Sequence, residues 1–219
     1  MGKSGISEHG QVFYKDGYRL GKQAVAEIKN ETAFLQNIGA MYKAVDELLN
    51  SLLALAQRQQ VTVDCKKGCA WCCHQAVFAN SYEIHYLGNY LKNHFSPEEQ
   101  TEVVRHATNK NKITGALDEE KMLSYKSPCP LLKDGACSAY AARPMACRIY
   151  LSMDVGSCRE FYQNPNNPAS FPALLDFPLL AGKMMNEGFM AALKEEGIFV
   201  KEFRLEEGLE AILTSGSNL

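Results

Sequence analysis

The 219-residue chain has no cysteine before residue 65 and none after residue 158. It has no apolar run of membrane-spanning length; the most apolar stretch, 48–56, is short and broken by Asn50 and Ser51. It has no long basic run, and its formal net charge is −2, so nothing in its totals supports a nucleic-acid surface. Neither nucleic acid nor membrane is expected as a partner. The first residues, Met-Gly-Lys-Ser-Gly-Ile-Ser-Glu-His, lack the apolar core of a secretory signal. A cytoplasmic location is the expectation, and there thiols stay reduced. Gly-rich phosphate loops, a Ser–His–Asp nucleophile signature, internal repeats and low-complexity segments are all missing. Motifs alone therefore make no enzyme assignment.

What is present is an ordinary globular composition, 46% hydrophobic and 22% charged, sufficient for a core without covalent staples. Into it are set eight cysteines. In a reducing compartment they argue for metal rather than disulfides. The pattern divides the chain into a helical extension over 1–60, a cysteine metal-binding domain over 61–160, and a helical segment over 161–219 packing on it. The expected fold is mainly α, with helices surrounding a loop-rich cysteine metal centre and a long amphipathic helix near the N-terminus.

That long helix is the clearest element. Phe34, Ile38, Met41, Val45, Leu48, Leu52 and Leu55 alternate steps of four and three, and Leu35, Tyr42 and Leu49 widen the stripe. Such a face packs on the protein's own core or, in the rival reading, on a second copy. Residues 1–17, polar and glycine-rich, are expected to lack order, with helical spacing starting only at Tyr18. Ser81 is the expected cap of a helix running to Phe95. Ser96-Pro97-Glu98-Glu99 is a capping box opening a helix to about Asn109. Asp134-Gly135 marks a tight hairpin, and further helices are read over 119–125, 178–193 and 205–213. The tail from Thr214 is expected to fray.

Cys65, Cys69, Cys72 and Cys73 fall within nine residues; Cys129, Cys137, Cys147 and Cys158 follow at gaps of seven, nine and ten residues. Clustered thiolates suit zinc, Cu(I) or iron–sulfur centres. Cys69-x2-Cys72 is a step that lets two thiolates reach one metal. Cys72 and Cys73 are adjacent, so their side chains diverge by about 100° in a helix and more in a strand. This points to two nearby sites or to a larger cluster approached from two directions. All eight are candidate ligands, and Cys158 is the one furthest outside the tight patterns. His74 and Glu83 are neighbouring polar groups, Tyr140 a packing residue, and Arg143 and Arg148 either cations beside the thiolates or loop-holding donors.

The string Cys65-x3-Cys69-x2-Cys72-Cys73, with Ser81-x-Glu83 after it, is one half of a larger pattern. The other half is Cys129-Pro-Leu-Leu-x-x-Gly135-x-Cys137-x-x-Tyr140-x-x-Arg143-Pro144-x-x-Cys147-Arg148. Together they resemble the YkgJ-type cysteine-cluster family, the CxxCxxCC zinc- or iron-chelating domain, over roughly Cys65 to Cys158. This chain has three rather than two residues between its first two cysteines. The resemblance implies that the eight cysteines are metal ligands. A similar module occurs in flagellin lysine methylase, which raises S-adenosylmethionine as a possible cosubstrate.

Cys65-x3-Cys69-x-Trp71-Cys72 also resembles the radical-SAM signature, yet the strands that such a barrel needs do not follow it. Bacterial ferredoxin and zinc-ribbon spacings do not match. Three readings result. The first is a metal-binding protein, iron–sulfur in preference to zinc, with a redox or metal-handling role. The second is an S-adenosylmethionine-linked modifying enzyme. The third is a structural zinc module whose long helix binds a protein partner. Partner, oligomeric state and substrate are not written in the pattern.

Overall fold

The computed structural model describes residues 8–66 and 68–214. Expectations for residues 1–7 and for the tail beyond Thr214 lie outside the described residues. Among the described residues the protein is mainly helical, with nine helices and four short strands. Helices α1 (Glu8–Ala26) and α2 (Glu31–Arg58) come first, followed by a 3-10 turn at Trp71–His74 and strand β1 (Phe78–Asn80). Then come α3 (Ser81–His94), α4 (Pro97–Thr114), α5 (Glu119–Ser124) and the strands β2 (Leu132–Lys133) and β3 (Ala136–Cys137). The rest comprises α6 (Met145–Ile149), α7 (Val155–Gln163), α8 (Asp176–Glu195), β4 (Glu202–Arg204) and α9 (Leu205–Thr214). No helix among these residues is long and apolar enough to cross a membrane. The described residues form two compact units, one from residues 8–61 and 175–200, the other from 62–66, 68–174 and 201–214. The described C-terminal residues 161–214 thus contribute to both.

In the first unit α1 packs along α8, the most extensive helix pair of the described residues. The expectation of disorder through residue 17 is corrected here, since α1 begins at Glu8. Gly17, one of the glycines that suggested a loose segment, is a site of close approach. A Cβ on Gly17 would collide with the backbone of Met185, and one on Gly188 with the carbonyl of Tyr14. Gly21 meets Phe189 and Ala192 in the same way. The backbones come so near that only hydrogen fits between them. In α2 the predicted stripe is buried at Leu35, Ile38, Met41, Tyr42, Val45 and Leu49, but Leu55 is exposed.

In the second unit α9 lies against α3 and α4, and β1 pairs antiparallel with β4, Phe78 opposite Arg204. Gly88 receives Ile212 and Gly208 receives Ile84, so α3 and α9 interlock. The α3 cap is Asn80 rather than Ser81, because Glu83 reaches back to the Asn80 N–H at 3.0 Å. Ser96 caps α4 as read, but the helix runs on to Thr114 instead of stopping near Asn109. Its last turn is held by tertiary bonds: Thr114 donates to Glu206 at 2.7 Å and Asn111 to Glu210 at 2.7 Å. Leu131, Ala139 and Ala142 join Ile84, Leu87 and Leu209 in one core. The cysteine loops are thereby fastened to the helices. Gly188→Ala should destabilise the protein by about 1–3 kcal/mol through overpacking, despite a helix-propensity gain of about 1 kcal/mol. Urea unfolding of the two proteins measures the difference.

Candidate metal centre

The first cysteine segment is held by the chain around residues 152–155. Asp64 donates its N–H to the Met153 carbonyl at 3.4 Å and Cys65 donates to that of Ser152 at 3.3 Å. The Asp64 carboxylate accepts the Val155 N–H at 3.0 Å, at the start of α7. Asp154 caps that helix, accepting from Gly156 at 2.7 Å and Ser157 at 3.0 Å. Cys158 sits one turn in and is buried, 6% exposed. Helix α7 has no counterpart in the sequence reading; the Asp154-Val-Gly-Ser cap was the signal available for it.

Gly68, at φ 93°, turns the backbone between Cys65 and Cys69, a conformation that side chains resist. The 3-10 turn then carries Cys72 and Cys73, with the Cys73 N–H on the Ala70 carbonyl at 3.0 Å. Its rings rest on α7: Trp71 lies 5.4 Å from Tyr162 between centroids and His74 5.0 Å. His74 Nδ1 donates to the Ala70 carbonyl at 3.0 Å.

The second segment joins the first through its backbone. Ser127 donates to the His74 carbonyl at 3.0 Å and Cys129 to that of Cys73 at 2.7 Å. Strands β2 and β3 close over Asp134 and Gly135, both at positive φ (50° and 75°), as expected of that dipeptide. Leu132 pairs with Cys137, and Leu132 N–H returns to the Cys129 carbonyl at 2.9 Å. Cys129 and Cys137 are thus drawn together at the open end of the hairpin. Cys147 lies on α6, whose first N–H groups have no intrahelical partner. One of them, on Met145, donates to Glu83 at 2.8 Å. Glu83 is 2% exposed, so this carboxylate welds α6 to the start of α3 rather than facing the thiols. Arg148 is fully buried and donates to the Ala141 carbonyl. Arg143 donates to the Tyr140 carbonyl at 2.8 Å and stacks on its ring at 3.8 Å.

All eight thiols are free. Burial raises the pKa of Cys65, Cys137, Cys147 and Cys158 and pushes Cys129 up to about 12. A hydrogen bond with Cys73, then burial, raises Cys72 further. The electrostatic neighbours fall into groups. Cys65 feels Cys72, Cys69 and Cys158; Cys158 feels Cys69 and Cys72. Cys147 feels Cys129, Cys72 and Cys137. Arg143 opposes the rise at Cys72, Cys137 and Cys147. Among the described residues, no three His, Cys, Asp or Glu side chains converge tightly enough to hold one ion as they stand. The donors are nonetheless of one kind, eight thiols. The Tyr150 hydroxyl is buried without a hydrogen bond, the Gln75 side chain lying near it but outside bonding geometry. It stands among Cys158 and Cys72, as an O–H that a thiolate sulfur would accept from. Nothing in the cysteine spacing pointed to Tyr150.

Residues 64–168 match the CxxCxxCC family model, described as "Putative zinc- or iron-chelating domain". The resemblance to the CxxCxxCC family is supported over residues 64–168. The match begins one residue before Cys65 and ends ten beyond Cys158, so it takes in all eight cysteines and both backbone junctions. No curated protein and no solved structure gave a significant match. Within this segment, Glu83→Ala should cost about 1–3 kcal/mol, because buried N–H groups lose their acceptor. Chemical denaturation of the metal-free protein is the measurement.

Proposed function

We propose that the protein binds metal through its eight cysteines, and that the metal is iron in an iron–sulfur centre serving a redox or metal-handling role. The observation that carries the reading is the gathering of eight free thiols from two distant segments into one unit, tied by the Cys129–Cys73 and Cys65–Ser152 backbone bonds. The donor set is sulfur alone. His74 Nδ1 and the Glu83 and Asp154 carboxylates are engaged with the backbone. Soft thiolates select zinc, Cu(I) or iron–sulfur. Eight of them, two adjacent, exceed the four that a structural zinc ion takes, which favours iron–sulfur over a single zinc. Eight reduced thiols also suit a cytoplasmic location.

Metal and acid-labile sulfide analysis of protein purified without oxygen tests this. Iron with sulfide and visible absorption is the expected result; stoichiometric zinc in a colourless preparation refutes the iron assignment. A protein binding neither refutes the metal reading.

The raised thiol pKa values fix the sign of a pH effect. At neutral pH the buried thiols of the metal-free protein hold their protons, and a ligating sulfur must give its proton up. Loading therefore releases protons, and apparent affinity should climb as pH rises from 6 toward the thiol range around 9. Competition with a chelator at several pH values measures the slope.

A further inference from the structure

We infer that Cys72 and Cys73 are a redox-modification site: in the metal-free protein the two neighbouring thiols close into a disulfide with each other and open again when reduced. The disulfide itself does not depend on the metal-binding reading above; its consequence for metal loading does. The pair is already in contact. Both thiols are free and partly exposed, and their side chains are hydrogen-bonded to each other. No segment has to move to bring them together, because one peptide bond joins them. They sit at the centre of the 3-10 turn Trp71–His74. The Cys73 N–H on the Ala70 carbonyl at 3.0 Å and the Gln75 N–H on that of Cys72 at 3.3 Å hold that turn. Hydrogen bonds of a 3-10 turn are poorer than those of an α-helix, so this backbone yields more readily than a helix would. Partial exposure also sets the pair apart from Cys158, which is buried.

Such a disulfide is a reversible one. The peptide between the two residues is trans, so their Cα atoms lie about 3.8 Å apart. Disulfides ordinarily join Cα atoms at about 4.4–6.8 Å, and a shorter span stores strain that makes the bond easier to reduce. Strained disulfides are the labile, regulatory kind. The oxidant is a low-molecular-weight disulfide. One sulfur of the pair gives up its proton and attacks it; its S–S bond breaks, a mixed disulfide forms and one small thiolate leaves. The second sulfur of the pair then loses its proton, attacks the first and displaces the other small thiolate. The two protein thiols have lost two electrons and two protons, and the small disulfide has gained both as two thiols. A closed pair has no thiolate to offer a metal, which requires deprotonated sulfur. Oxidation thus withholds two of the eight candidate ligands until the pair is reduced.

The test is oxidation of the metal-free full-length chain with oxidised glutathione, followed by alkylation of the remaining thiols, trypsin digestion and mass spectrometry. The tryptic peptide 68–92 carries Cys69, Cys72 and Cys73. It should lose two hydrogens, carry its alkyl group on Cys69, and give no backbone fragments that separate Cys72 from Cys73. Cys69→Ser should still close the pair, whereas Cys72→Ser and Cys73→Ser should stop at the glutathione adduct. The wild-type fragment pattern stands even where a variant fails to fold. A disulfide joining either cysteine to any other thiol, or a pair recovered alkylated, overturns the inference. So does a closed pair that excess reduced glutathione fails to reopen. Zinc uptake then tests the consequence for loading. Reduced protein should bind more zinc than oxidised protein, and equal uptake overturns the withholding of ligands. A reduced protein that binds neither zinc nor iron refutes the metal-binding reading, while the mapped disulfide stands.

Discussion

The N–H of Cys129 donates to the carbonyl of Cys73 across 2.7 Å, and much of the second unit depends on that junction. It joins segments more than fifty residues apart and sets the hairpin cysteines beside the 3-10 turn. Its counterpart, Cys65 on Ser152, does the same for the thiols on the other side. The bonds are between backbone groups, so the side chains stay available for chemistry. Buried backbone donors and acceptors must be paired. A loop-rich segment without long strands meets that requirement by pairing its own turns with one another.

Around this junction the helices act as a frame. Ile84 and Ile212 interlock with Gly208 and Gly88, and the core they build extends to Leu131, Ala139 and Ala142. Glu83 transmits the position of α3 to α6 and hence to Cys147. A buried carboxylate is costly unless its hydrogen bonds are made, and Glu83 makes them with N–H groups that open two helices. One residue thus serves capping, packing and placement of a cysteine-bearing element.

Six of the thiols, Cys65, Cys72, Cys129, Cys137, Cys147 and Cys158, have a raised pKa. Burial and mutual proximity hold protons on them, while Arg143 works in the opposite direction at three of them. A positive metal reverses the balance, since it stabilises the thiolate that burial disfavours. The two ends of the constellation are not alike in charge, with a guanidinium at one and the Asp154 carboxylate at the other.

The sequence by itself determined the elements whose signals are local. The stripe of α2, the Ser96 box of α4, the Asp134-Gly135 turn and the candidate ligands all follow from neighbours within a few residues. Only tertiary structure decided the rest. The glycine-rich segment 1–17 read as loose because the value of Gly17, letting α1 and α8 touch, exists only when both helices are present. The last turn of α4 continues because Glu206 and Glu210 come to it from α9. At Cys72 and Cys73 adjacency was legible, but not which segments of the chain come to lie beside them. That depends on hydrogen bonds from Cys129 and Cys65 to residues far along the chain, and local spacing does not encode them.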